Sequence, residues 1–222
     1  IYMKHPRIIR IKADMVDQMD YDKILSMYQD RFKDASDFTF IFVGNVDVEK
    51  MKPVIAEYLG ALPAVNRKET FKDNKIEMRQ GIYKNEFTKQ QETPKASVFA
   101  FYNGDCKYDL RNNLLLSMTS QILDLVYTEK VREDEGGTYG VYVGGTLQKY
   151  PKEKAILQII FDTAPEKKEK LMKIIFAEID NITKTGPSEA NLNKVKEYML
   201  KKHTEDLKEN SYWLGSIDEY LY

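Results

Sequence analysis

The stretch Lys130-Val131-Arg132-Glu133-Asp134-Glu135-Gly136-Gly137-Thr138-Tyr139-Gly140-Val141-Tyr142-Val143-Gly144 is where a helical period hands over to a strand period. Upstream, Leu110, Leu114, Met118, Ile122, Leu125 and Val126 fall on one side of a long amphipathic helix running roughly from Asp109 to Val131. Over Thr138–Gly144 the residues alternate, with Tyr139, Val141 and Val143 on one face and Tyr142 on the other, the two-residue period of a strand. A further strand is predicted over Ala155–Phe161, and two strand-like stretches, near residues 80–88 and 95–103, precede the long helix.

Outward from this centre, helices dominate. Asp20 is placed to cap a helix near residues 21–33, and Phe38–Val43 reads as a buried strand ended by Gly44-Asn45. A helix near residues 47–59 follows, ended by Gly60 and Pro63. Pro165 suits a first helical turn, Leu171, Ile174, Ile175, Ile179 and Ile182 continue that helix, and Gly186-Pro187 breaks it. Two last helices are expected over about 188–208 and 211–222. Strand pairs followed by helices predict an α+β fold, a two-layer sandwich of a largely antiparallel sheet with helices packed on one face. The polar, aperiodic stretch from Pro63 to about Asn74 is the best linker candidate.

Composition narrows the chemistry. The 222 residues carry 34 Lys+Arg against 35 Asp+Glu, a formal net charge of −1, which argues against a general nucleic-acid binder. Charged residues reach 31%, above the roughly 25% usual in soluble domains, so the surface is heavily ionic. The longest apolar runs, Phe38–Val43 and Ala155–Phe161, fall far short of the ~20 residues of a membrane span. The chain opens Ile1-Tyr2-Met3 without an initiating Met and stops at Tyr222 inside an apolar pattern, so it reads as an excised, soluble piece of something longer.

Two histidines and one cysteine leave no His/Cys zinc cage and no disulfide framework, so no metal site is expected within this chain. His5 is followed at the helical spacings by Ile8 and Ile9, and His203 by Asp206 and Leu207, so neither starts an HxxEH pair. Cys106 sits in a turn-like stretch, Asn103-Gly104-Asp105-Cys106-Lys107, and reads as an ordinary thiol. No GxSxG elbow, P-loop or GxGxxG spacing is present, and most carboxylates interleave with Lys on solvated helix faces. The stretch 130–144 remains. Arg132 offers a planar fork for a carbonyl or carboxylate, Tyr139 a rigid ring with a hydroxyl, and the glycines a close backbone approach. Two readings are open on these residues: ligand capture, or an Arg neutralising Glu133–Glu135 at a helix end beside a Tyr packed in the sheet.

At this point the chain resembles the pitrilysin/insulinase family of zinc metallopeptidases, which carry an inverted HxxEH motif. Their C-terminal, non-catalytic half ends a long helix with an Arg and places a Tyr seven residues later at the start of a strand; Arg132 and Tyr139 match in type and spacing, with Thr138 a minor departure. Upstream, Tyr28, Arg31-Phe32, Ala35, Asp37-Phe38, Phe40 and Phe42-Val43-Gly44-Asn45-Val46-Asp47 resemble the family's helix and its VVVGD(V/I)D strand, and Tyr58-Leu59-Gly60-Ala61-Leu62-Pro63 its YFGxLP ending. Asn210-Ser211-Tyr212-Trp213-Leu214 resembles large bacterial members.

The resemblance implies a metallohydrolase-like architecture. Residues 1–63 would end one pitrilysin-type domain, 64–74 would link, and 75–222 would form most of the following inactive domain. It further implies a zinc-free, substrate-binding part of a metalloendopeptidase that cuts peptides or small unfolded proteins, with Arg132 and Tyr139 on the substrate and no catalytic residue in this chain alone. Zinc belongs to the parent's other half, which is the expected partner, on the same chain or another subunit; peptide substrate is the second partner, and the bacterial flavour points to the cell envelope. Two rival expectations are a family member that has lost catalysis and serves as scaffold, and a peptide-binding module using the sheet edge near Tyr139.

Overall fold

The computed structural model describes Tyr2, residues 4–133 and residues 140–221, with the side chains of Arg132 and Glu133 outside that description. Contacts divide the chain into two compact units, Met78–Lys201 in one and Ile1–Glu77 with Lys202–Tyr222 in the other. The fold is α+β, as the element pattern predicts.

The unit Met78–Lys201 is built on a three-stranded antiparallel sheet of strands β1 (Ala96–Asp105), β2 (Val141–Gln148) and β3 (Lys154–Thr163), in the order β1-β3-β2. β3 is central because Ala155-Ile156-Leu157-Gln158-Ile159-Ile160-Phe161 is apolar on both faces, which suits a strand paired on both edges. Register sets Val98 opposite Phe161 and Ala100 opposite Ile159 on one side of β3, and Val141 opposite Phe161 and Val143 opposite Ile159 on the other. These inward residues meet Ile122, Leu123, Val126 and Tyr127 of α3 (Leu110–Tyr127), Leu171 and Ile175 of α4 (Lys168–Thr185), and Val195 of α5 (Glu189–Asp206) in one buried cluster. Helices therefore cover the face carrying Ile159 and Phe161, and the face carrying Phe99 and Tyr142 is exposed.

Local signals set the helix ends. The carboxylate of Asp109 accepts from Asn112 N at 2.8 Å and starts α3, and Gly186, at φ 76°, ends α4 in a conformation that disfavours a side chain. α3 lies directly on β2. A Cβ added to Gly145 would come within 2.6 Å of Leu116 Cγ and 2.7 Å of Ser120 Oγ, both on α3.

The other unit holds α1 (Tyr21–Phe32), α2 (Val48–Tyr58) and α6 (Asn210–Leu221). Asp20 and Asp47 cap α1 and α2, accepting from Lys23 N at 3.0 Å and Lys50 N at 3.2 Å. After α2 the chain returns to the end of α1, where Ala35 N donates to Pro63 O at 2.8 Å. The buried Asp34 organises this return. Its Oδ1 accepts from Ser36 N, Ser36 Oγ and Val65 N at 3.0, 2.5 and 3.0 Å, and its Oδ2 from Arg67 N at 2.7 Å. Val65 and Arg67 belong to the stretch read from sequence as a linker.

Two expected strands do not form among the described residues. Phe38–Val43 has no ladder partner, and this unit contains no strand at all among its described residues. Phe38 and Phe40 instead continue an aromatic row from α1, with ring centroids 4.6 Å apart for Tyr28–Phe32, 5.9 Å for Phe32–Phe38 and 6.2 Å for Phe38–Phe40. Residues 80–88 also lack a ladder, and Ile82 and Phe87 are exposed. The chain meets β1 there through side chains, Gln80 donating to Asn103 Oδ1 at 3.3 Å and Asn103 Nδ2 to Arg79 O at 3.5 Å. Strand period in a sequence reports alternation; a strand also needs a neighbour to pair with.

Two outcomes follow for stability. Gly145→Ala should cost about 1–3 kcal/mol in denaturant unfolding, since Leu116 or the helix must move. Gly104→Ala, where an added Cβ meets nothing within 4 Å, should be neutral or better. In the other unit, the Ser36 hydroxyl and the N–H groups of Arg67, Val65 and Ser36 hold the Asp34 carboxyl well below the usual carboxylate range, against the opposing effect of desolvation. Its stabilisation is thus complete above the unfolded value near ~3.9 and drains as pH falls below it toward the folded value. Asp34→Asn should lower the Tm at neutral pH, and the gap from the wild type should narrow below pH ~4.

Candidate substrate-binding site at the end of the long helix

α3 does not stop at Tyr127. The chain continues into a π-helical turn, Thr128–Glu133, that contains Arg132. The change of winding begins at Thr128, whose N–H is shared between the carbonyls of Asp124 and Leu125. π-turns are wider and rarer than α-turns, and this one has support from outside the helix.

That support comes from α4 and the core. Tyr127 is fully buried, and its hydroxyl donates to Ile175 O on α4 at 3.1 Å. Burial pushes the Tyr127 phenol well above its ordinary value, and the charges of Tyr102 and Glu178 add to the shift, so the hydroxyl stays a neutral donor. Val131 is fully buried in the same cluster as Ile159 and Phe161. Between them, Lys130 Nζ reaches Glu178 Oε1 on α4 at 2.5 Å, and the Glu178 side chain is only 13% exposed. On the far side of residues 134–139, β2 begins at Val141, which is buried opposite Phe161.

Of the two residues expected to bind substrate, the Arg132 backbone therefore sits in this supported turn. Its side chain lies outside the described residues, as does Tyr139. Tyr127, Lys130 and Glu178 are supporting residues that sequence reading passed over. The signal for the first was present, since Tyr127 and Val131 are four apart, but Glu178 lies 48 residues from Lys130.

The remaining candidates resolve into local contacts. The His5 ring shares a 3.0 Å hydrogen bond with Asn74 O and accepts from Arg7 N at 3.2 Å. His203 Nδ1 is 3.3 Å from the Tyr212 hydroxyl, and the two rings meet edge to face. Cys106 is half-buried in the turn after β1, where its N–H donates to Glu153 O at 3.3 Å, and the neighbouring Lys107 turns to Asp109 at 3.6 Å. Among the described residues, no group of three or more His, Cys, Asp or Glu side chains is placed to hold a metal ion. These donors do not fit a catalytic zinc.

Comparison with known proteins now bears on the turn. The profile of the family described as "Peptidase M16 inactive domain" matches residues 18–199. The chain belongs to that family. Among curated relatives, a "Zinc protease PQQL-like" protein of Arabidopsis thaliana is 23% identical over 220 residues, covering 93% of this chain and 23% of the relative. Among solved structures, the periplasmic protease PqqL from Escherichia coli superposes with a TM-score of 0.81 at 20% identity, over 99% of this chain and 24% of that one. An M16 inactive domain from Pseudomonas fluorescens gives a TM-score of 0.67 at 20% identity, over 97% of this chain and 51% of that one. The chain thus spans about a quarter of the length of the PqqL-type relatives it matches. The pitrilysin-type resemblance is borne out at the level of family and fold, and no described helix of this M16 domain is long and apolar enough to cross a membrane.

Because Ile175 O lies in a helix and keeps a second lone pair, Tyr127→Phe should cost only about 0.5–1.5 kcal/mol in denaturant unfolding. A much larger loss would mean that the hydroxyl supports more than the contact with α4.

Proposed function

We propose that this M16 inactive domain binds the substrate main chain for a pitrilysin-type zinc metalloendopeptidase that cleaves peptides or small unfolded proteins. The observation that carries the reading is Arg132 at the end of α3, in a turn held by the core and by α4 within a chain that belongs to the M16 inactive-domain family. In this reading the Arg132 guanidinium donates to main-chain carbonyls of the substrate, a charge-assisted contact whose planar fork also fixes orientation. The Tyr139 hydroxyl supplies a second donor near the scissile bond. Both groups favour the transition state where negative charge develops on the carbonyl oxygen. The zinc, borne by a homologous half on the same chain or on another subunit, supplies the hydrolytic water when bound.

This division of labour assigns the chain no cleavage activity by itself. In this reading, residues 1–63 belong to the close of one pitrilysin-type domain and 75–222 to most of the next, joined by 64–74. The retained Arg132/Tyr139 pair favours a binding role over a pure scaffold, which needs neither residue.

The test is steady-state peptide cleavage by the full-length protein that contains this chain. Arg132→Ala and Tyr139→Phe should each leave the Tm near that of the wild type and lower kcat roughly a hundredfold, the usual effect of deleting one donor to a developing oxyanion. Wild-type turnover in both variants would overturn the assignment.

A further inference from the structure

We infer that Lys130 and Glu178 are positioning residues for Arg132: their ion pair sets the orientation of the π-helical turn that carries it. The inference rests on the substrate-binding reading of Arg132. Tyr127 and Lys130 are three apart at the end of the long helix, and their partners Ile175 and Glu178 are three apart on α4. Both contacts run from the end of the long helix to α4, so they form two ties between the same pair of elements. The first tie, with the burial of Val131, sets how deeply the turn sits in the core. The second tie, Lys130 Nζ to Glu178 Oε1 at 2.5 Å, fixes the turn at its more exposed edge.

The place of the pair argues that its task is orientation. The Lys130 side chain is 45% exposed and that of Glu178 only 13%, so an ammonium at the water's edge is held by a carboxylate set into the interface with α4. Arg132 directly follows Val131, and a long side chain magnifies any rotation of its own backbone. A displacement of about 1 Å at a reacting centre can cost on the order of a hundredfold in rate.

The experiment uses the full-length protein containing this chain, measuring kcat, KM and Tm for peptide cleavage. Lys130→Met and Glu178→Gln should each lower kcat roughly tenfold with KM little changed, a loss larger than any accompanying fall in Tm accounts for. The exchanged pair, Lys130→Glu with Glu178→Lys, should recover most of that loss. In an Arg132→Ala background the same substitutions should produce no further fall, because what they position is already gone. Wild-type kcat in both single variants, with Arg132→Ala impaired, overturns the positioning role and leaves the reading of Arg132 standing. Full activity in Arg132→Ala overturns that reading and the inference with it. A kcat loss that tracks Tm without recovery in the exchanged pair, or one that persists in the Arg132→Ala background, overturns the inference alone.

Discussion

The missing side chain at Gly145 is the constraint from which the sheet-bearing unit follows. Where any larger residue would meet Leu116 Cγ at 2.6 Å, glycine lets α3 lie directly against β2. That contact sets the line of α3 across the sheet, and with it the depth at which Ile122, Leu123, Val126 and Tyr127 enter the cluster around Ile159 and Phe161. A helix held so closely by its middle delivers its last turn to a defined place. The residues after Tyr127 inherit their position from packing several turns earlier, because close-packed interiors transmit displacement rather than absorb it.

Electrostatics then refines what packing has placed. The Tyr127 hydroxyl is buried beyond easy ionisation and serves as a neutral donor to α4, while the Lys130–Glu178 pair works at the edge of the same interface, where water still reaches the ammonium. The chain thus grades its polar contacts by depth, with a neutral hydrogen bond inside and a charged pair near the surface. This order avoids the desolvation penalty of a buried ion pair. The unit of α1, α2 and α6 solves the opposite problem at Asp34. A buried carboxylate is tolerated there because four hydrogen bonds, to Ser36, Val65 and Arg67, converge on its two oxygens.

Much of the architecture was legible in the residue pattern. Asp20 marked a helix start that the structure uses and Gly186 an end, because capping is chemistry between near neighbours in the chain; Asp47 and Asp109, read only as approximate helix limits, cap their helices too. β1 and β3 were visible for a related reason: alternation or a continuous apolar run survives in any sheet that buries it. Phe38–Val43 and residues 80–88 carried a similar signature and form no strand, since pairing depends on a partner that local sequence does not name. Arg132 and Tyr139 were found by their match to a family pattern. Their residue types alone left ligand capture and simple charge neutralisation both open, with the balance toward neutralisation.

The sequence by itself determined most helix starts, the α+β class, the apolar strand that becomes β3 and the family to which the chain belongs. These depend on periodicity and on residues close together along the chain. Only the tertiary structure decided that α3 rests on Gly145, that its end widens into a π-turn around Arg132, and that Glu178 and Ile175 hold that turn. Each of those features joins residues distant in sequence. Their energies come from excluded volume and from hydrogen bonds that exist only once the helices have packed.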